Sequence, residues 1–489
     1  MALKAYGALA GTAILALATG PAAVGRQPDT IPTAISASDK ASGAKAHPAL
    51  LAEYGGPYAG PQAAYVSGVA RKIAVQSGLS NAQSDFTITL LNSPVNNAFA
   101  IPGGYIYITR QLMALANDEA EMAGVLGHEV GHVAARHGQR RQQAAQRNAI
   151  GGALLQVLTG AVMGDSMFGD VLQKGIGQGS QLLTLRFSRT QEYEADDLGI
   201  RYLAKAGYDP GALSSMLASL AAQSALDQRA TGDARSVPAW ASTHPDPAAR
   251  VTRAAQRAKA TGAQSTLRNR EPFLTALDGV MYGDDPKQGV IEGDRFLHPE
   301  FRLAFTAPTG FGMENAADAV GISGSGGQAQ FLGAEYRGDL QAYVEAVFRK
   351  LAGQDARIGT ISRTTVNGLP AGYFIARATS GSSQVDITVF AYAFAPDTAY
   401  HFLLVTPAGA GMGSFAPMVQ SVRRLSAQEA AGIKPRRIDV VTVKPGDTTA
   451  ALAGRMAYAD LRMERFLTLN GLRAGDALRP GQKVKIVTY

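Results

Sequence analysis

His128, Glu129 and His132 stand together in the run HEVGH, the densest gathering of chemistry-bearing side chains in this 489-residue chain. On an α-helix, four residues turn through about 400°, so both imidazoles leave one face and can converge on a single metal ion. Glu129 lies about 100° round the same turn, within reach of a metal-bound water without being a ligand. Such a pattern suits hydrolysis of a peptide bond at zinc, with the glutamate moving the proton. A pair of satisfied core histidines on a buried Ala/Gly-rich helix would leave the intervening glutamate without a role.

The third ligand separates two classes of such sites. One class uses a histidine six residues past the second, after a helix-breaking glycine. Here those positions hold Gly138 and Ala135. His137 is one place early on what reads as a continuing helix, VAARHGQRRQQAAQRNA, and should point about 140° away from His132 as a surface or supporting residue. The other class takes a glutamate from a separate helix. FSRTQEYEADDLGIRYLAKAGY offers Glu192 and Asp196 at i, i+4, the first able to ligate and the second able to accept an imidazole N–H. Alone, that acidic pair would read as a solvated helix face.

Elements must hold these groups in place. Asp118 with Glu121 three residues on gives a capping-box-like start before MAGVLGHEVGHVAA. Upstream, FAIPGGYIYI alternates as a strand around a Pro-Gly-Gly turn, and a sheet edge can recruit an extended peptide. Asn97, just before it, also suits an ordinary turn. His244, in STHPDP, also suits a helix start before PAARVTRAAQRA.

HEVGH, EYEAD and NNAFAIPGGYIYITRQLM together resemble the HtpX-like and prenyl-protein-endopeptidase family of gluzincin metallopeptidases, family M48, over roughly residues 50–260. The resemblance implies one zinc ion held by His128, His132 and Glu192, with Glu129 as general base and Asp196 behind the ligands. It further implies that Asn97, Ala98, Phe99 and Ala100 form the substrate-binding edge. STHPDPAAR corresponds to the family's HP motif, with His244, Pro245 and Arg250. His244 would steady the oxyanion or occupy the open coordination position, and Arg250 would support the ligands.

Lys4, the apolar run GALAGTAILALAT and Ala16-Leu17-Ala18 read as a cleavable export signal. An uncleaved anchor is the alternative, and periplasm or cell envelope is the expected location. With no cysteine, disulfides, thiol catalysis and cysteine acylation are excluded. AIGGALLQVLTGAVMG from Ala149 is short for a membrane span, and the five glycines from Gly164 to Gly179 suggest a lid over the cleft.

The C-terminal run resembles a LysM module through VKPGDT, LNGL and LRPGQKVKI, in strand, helix, helix, strand order. LysM modules bind N-acetylglucosamine-containing glycans such as peptidoglycan. Its middle, AALAGRMAYADLRME, departs from the usual pattern, leaving glycan binding and a structural or docking role both open. Residues 434–489 carry 11 Lys and Arg against 5 Asp and Glu, nearly all of the chain's formal +7, which favours anionic envelope polymers. No nucleic-acid signature accompanies them.

The expected fold is α+β and multidomain. A signal peptide occupies 1–23, a linker 24–46, and a mainly helical zinc metallopeptidase domain with a small edge-strand sheet 47–265. An α+β antiparallel-sheet domain follows at 290–428, including helices in DLQAYVEAVFRKLAG and FAPMVQSVRRL, and a βααβ LysM-like module at 438–489. His298 and His401 in the middle domain read as structural. The expected activity is that of an exported zinc endopeptidase in envelope protein quality control. Cleavage of peptidoglycan stem peptides, or a wall-binding adaptor with a silent peptidase site, are the alternatives.

Overall fold

The computed structural model describes residues 34–79, 81, 84–141, 187–231, 240, 243–317, 319–352, 358–380 and 383–489. The export signal, the apolar stretch from Ala149 and the glycine-rich segment Gly164–Gly179 lie outside the described residues. Among the described residues, no helix is long and apolar enough to cross a membrane.

Helix α1 (Ala37–Glu53) starts at Ser36, whose side chain accepts from the Asp39 amide, so residues 37–46 are helix where the sequence suggested linker. Leu50 of α1 packs with Leu91, Phe99, Ile101 and Tyr107 against a small sheet. After α2 (Pro61–Ala74) come β1 (Thr87–Leu91), β2 (Ala98–Ile101) and β3 (Tyr105–Thr109), ordered β1-β3-β2 with β2 at the edge. The short α3 (Arg110–Leu115) leads into α4 (Glu119–Ala134), which carries HEVGH. Asp118 caps α4 by accepting from Glu121 N, while the Glu121 carboxylate reaches back to Asn117 N rather than to the cap residue.

Helix α5 (Arg189–Lys205) opens with a full capping box of Ser188 and Gln191 and lies along α4. The two helices meet at glycines. A Cβ on Gly199 would lie 3.0 Å from His128 N, and one on Gly127 would lie 3.2 Å from the Gly199 Cα. Side chains at these points would force the axes apart. Helices α6 (Ala212–Thr231), α7 (Pro247–Ala260) and α8 (Arg270–Leu277) complete the bundle. Phe273, Leu274 and Leu277 of α8 join its core, so the packed unit continues past residue 265.

After β4 (Met281–Tyr282), β5 (Val290–Glu292), β6 (Arg295–His298) and β7 (Leu303–Thr306) begin the middle domain. It continues with β8 (Gly312–Asn315), β9 (Val320–Gly324), β10 (Gly327–Glu335), α9 (Leu340–Ala352), β11 (Ser362–Val366), β12 (Leu369–Ser380), β13 (Ser383–Ala395), β14 (Thr398–Pro407), α10 (Ala416–Ser421), β15 (Arg423–Arg424) and α11 (Ala427–Gly432). Its seven-stranded antiparallel sheet runs β11-β12-β13-β14-β10-β9-β8, beside a four-stranded sheet ordered β15-β7-β6-β5. The segment FAPMVQSVRRL is helical only to Ser421, because Arg423 and Arg424 pair with β7 as a strand.

The C-terminal module is β16 (Arg436–Thr442), α12 (Thr449–Gly454), α13 (Arg462–Leu469) and β17 (Lys483–Thr488). Its two strands take β4 as a third, in the order β17-β16-β4. Phe466, Leu469, Val484 and Ile486 share one continuous hydrophobic cluster with Leu112, Val130 and Leu217 of the helical bundle.

Candidate metal centre

The glycine contacts bring α4 and α5 close enough for their polar side chains to meet. His128, His132, Glu192 and His244 each offer one ligand atom, all within 4.8 Å of one another, and all four residues are buried. Nε2 of His128 lies 3.0 Å from Nε2 of His132 and 3.3 Å from Nδ1 of His244. The Glu192 carboxylate lies 3.5 Å from Nε2 of both His128 and His132, and 3.1 Å from His244 Nδ1.

The outer nitrogens fix the tautomers. Asp196 Oδ1, 3.0 Å from His128 Nδ1, can only accept when ionised, so in the neutral ring Nδ1 carries the proton and Nε2 is a bare lone pair, the place a second proton or a metal ion takes. Glu194 Oε2 lies 3.2 Å from His137 Nε2 and, by accepting, keeps the proton on that nitrogen in the same way, leaving His137 Nδ1 to accept from His132 Nδ1 at 2.8 Å. The inward Nε2 of His132 is then also bare. Two lone pairs and a carboxylate facing one small volume repel one another unless a cation lies between them.

The ionisation preferences agree. Burial disfavours charge on His128, but the Asp196 and Glu192 carboxylates outweigh it and hold its pKa up near 9. His132 is driven well below the usual histidine value by burial, and the positive charge favoured on His128 adds to that. Burial opposes ionisation of Glu192, yet His244 and the other imidazoles bring its pKa well below the ordinary carboxylate value. One positive charge is therefore drawn into the site.

Arg250, buried on α7, spans the acidic side. It donates to Asp196 through Nη2 at 2.5 Å and Nε at 2.9 Å, and to Glu192 through Nη1 at 2.6 Å. This fork orients both carboxylates. Glu129 is fully buried, and both its oxygens lack hydrogen-bond partners. Its nearest basic neighbour is His244 Nε2 at 3.5 Å, and burial raises its pKa.

His137 is the supporting histidine that one expectation allowed, but not the outward-pointing one. The helix does not continue through VAARHGQ. It ends at Ala134, and Arg136 turns left-handed with φ 51°, which returns His137 to His132 instead of carrying it away. Trp240 stacks on His244 at 4.2 Å between ring centroids, and Phe187 on His132 at 3.9 Å. The sequence reading missed these aromatic partners and Glu194. Glu194 stands within the acidic segment already singled out, whereas the aromatics carried no local signal.

Asn97 is buried at the start of β2, with its amide N–H donating to Thr109 Oγ1 and its Oδ1 without a partner. Thr109 N donates to Asn97 O, and Phe99 pairs with Tyr107. Alternation then turns the main-chain groups of Ala98 and Ala100 away from β3, toward the open edge.

A paired-histidine helix facing a glutamate from a second helix is a donor arrangement suited to a metallopeptidase. Residues 61–258 match Peptidase family M48 and residues 441–487 match the LysM domain, so the chain carries an M48 domain followed by a C-terminal LysM domain. Similar proteins include a beta-barrel assembly-enhancing protease of Yersinia pestis, 30% identical over 214 residues, covering 42% of this chain and 41% of that protein. The mitochondrial metalloendopeptidase OMA1 of Schizosaccharomyces pombe is 29% identical over 209 residues, covering 42% of this chain and 57% of that protein. The metalloprotease LoiP of Escherichia coli K12 is 34% identical over 126 residues, covering 26% of this chain and 47% of that protein. The chain thus spans about half the length of the curated relatives it matches.

Proposed function

We propose that this chain is an exported zinc-dependent endopeptidase working in envelope protein quality control, with His128, His132 and Glu192 as ligands, Glu129 as general base, and Asp196 and Arg250 behind them. The carrying observation is the set of bare donor atoms converging beside an unpartnered, buried Glu129. Zinc fits the donor set. For zinc–nitrogen bonds of about 2.0–2.1 Å, tetrahedral ligand atoms stand roughly 3.3–3.4 Å apart. The 3.0 to 3.5 Å separations among His128, His132 and Glu192 bracket that spacing.

Bound zinc supplies a water acidified to a pKa of about 7 and polarises the peptide carbonyl. The work of the chain's own residues follows from their placement. Glu129 takes a proton at its carboxylate and delivers it to the leaving amine, a role its raised pKa favours. Ala98 and Ala100 pair with the substrate main chain, and Asn97 Oδ1 accepts from it. His244 has two roles. With Nδ1 among the donors it closes the site at rest, and swinging away it leaves an N–H available to the oxyanion. That resting position favours a second reading, a self-inhibited or silent peptidase on a wall-binding adaptor.

The names of the relatives, all proteases, support cleavage of protein or peptide substrates, and the LysM domain supports peptidoglycan as a partner. On this reading a peptidase unit (47–265, extended through α8), an α+β unit (290–428) and a LysM unit (438–489) work together outside the cytoplasm. Zinc analysis and casein cleavage with and without a chelator test the proposal. Glu129→Gln should keep about one zinc per chain and lose activity by about 10²–10⁴-fold. A wild-type chain that binds peptidoglycan but cleaves nothing after zinc loading would establish the adaptor instead.

A further inference from the structure

Lys485, on β17 of the LysM domain, is fully buried, and its Nζ donates to the carbonyls of Ala114, Leu115 and Ala116 at 2.8, 3.3 and 2.7 Å. These carbonyls close α3, where a helix end leaves acceptors without partners of its own, and the N–H donors of Lys485 cap them even as burial pulls its pKa down to about 7. The next residues mount the metal-bearing helix. Asn117 N donates to Glu121 Oε2 at 2.8 Å, and Asp118 caps α4.

The remaining contacts of α3 point the same way. Arg110 Nη1 donates to Met281 O at 3.2 Å, and Gln111 Oε1 accepts from Gly283 N at 2.9 Å, so β4, the third strand of the LysM sheet, and the residue after it grip its start. Arg270 ties Asn117 O to Lys483 O, donating at 2.5 and 3.0 Å. Asn470 holds the Lys485 backbone from both sides, accepting from its N–H at 2.7 Å and donating to its carbonyl at 2.8 Å. At Gly471 the module approaches so closely that a Cβ would meet the Asn117 amide at 2.9 Å. A freely tethered domain would have no use for a buried lysine spent on a distant helix.

We infer that Lys485 is a positioning residue for the metal-bearing helix, and that the LysM domain is a working part of the peptidase. The inference rests on the proposed peptidase reading only for its rate consequence. The mechanical consequence stands apart from it.

The test uses the full chain with Lys485→Met, which keeps the length of the side chain and removes the N–H donors to α3. Amide exchange in residues 116–122 should quicken by about 100-fold while the middle domain is unchanged. Zinc content should stay at that of wild type, with kcat on a casein-derived peptide falling about tenfold and KM moving by less than about twofold. Unchanged exchange in 116–122, or an unchanged kcat in an active protein, overturns the inference. If Lys485→Met does not fold, Asn470→Ser replaces it, loosening the same backbone while keeping the Lys485 side chain. Faster exchange in 116–122 with kcat lowered about threefold supports the inference, and wild-type values of both refute it. A wild-type chain that cleaves nothing sinks the peptidase reading, and the exchange measurement still decides the coupling.

Discussion

Arg250→Met tests whether the site is held together electrostatically from behind. In the native protein one guanidinium makes three charge-assisted hydrogen bonds of 2.5 to 2.9 Å to two carboxylates, Asp196 and Glu192, and all three side chains are about 1% exposed or less. Exposed pairs contribute about 0–1 kcal/mol, but removing one partner of a buried pair leaves an uncompensated charge and costs about 3–5 kcal/mol. Methionine fills most of the volume, so the loss reports charge rather than a cavity. The metal-free protein should lose about that amount, and zinc should restore part of it by neutralising Glu192. Loss of the group orienting the ligands should also cost about 10–100-fold in kcat/KM. Arg250→Lys, which keeps the charge without the planar fork, should recover less than half of the stability. Urea unfolding with and without a chelator, together with peptide cleavage, gives both numbers. A metal-free Arg250→Met within about 1 kcal/mol of wild type would refute the argument.

Glu192→Ala combined with His244→Ala should abolish stoichiometric zinc binding, since the two imidazoles then left make a poor site, and retention of wild-type metal content would refute the donor set. Gly199→Ala should destabilise by about 1–3 kcal/mol and weaken zinc binding, because its Cβ would stand 3.0 Å from His128 N and push α4 from α5. Equal melting temperature and metal content would count against that close approach. Burial lowers His401 to about 4, while an unfolded histidine titrates near about 6.5. The stability this contributes, roughly 3 kcal/mol, is whole above pH 6.5 and drains away as pH falls toward 4. His401→Leu should flatten the fall in urea midpoint over that window, and parallel curves for the two proteins would argue against the shift.

The metal helix, its cap and the acidic helix were legible because each is a local pattern. HEVGH and the Glu192–Asp196 pair need only helical periodicity to put their groups on one face. The LysM strand, helix, helix, strand order was legible for the same reason. The supporting role of His137 was within the sequence expectation, but its direction was not, because one left-handed residue, Arg136, resets the helical phase. Nothing at that arginine announces the turn, since the burial of His137 between His132 and Glu194 is what holds the conformation.

The sequence by itself determined which side chains could meet a metal, because their spacing is set by the helical repeat. It also suggested three architectural parts, because turns and apolar alternation are written locally, whereas the first and last share one hydrophobic cluster. Only the tertiary structure decided that Arg250 joins Asp196 to Glu192, that His244 turns Nδ1 inward, and that Lys485 reaches across from the LysM domain to the end of α3. These contacts join residues from about 50 to about 370 positions apart, and the burial that makes each of them strong exists only after the core has closed.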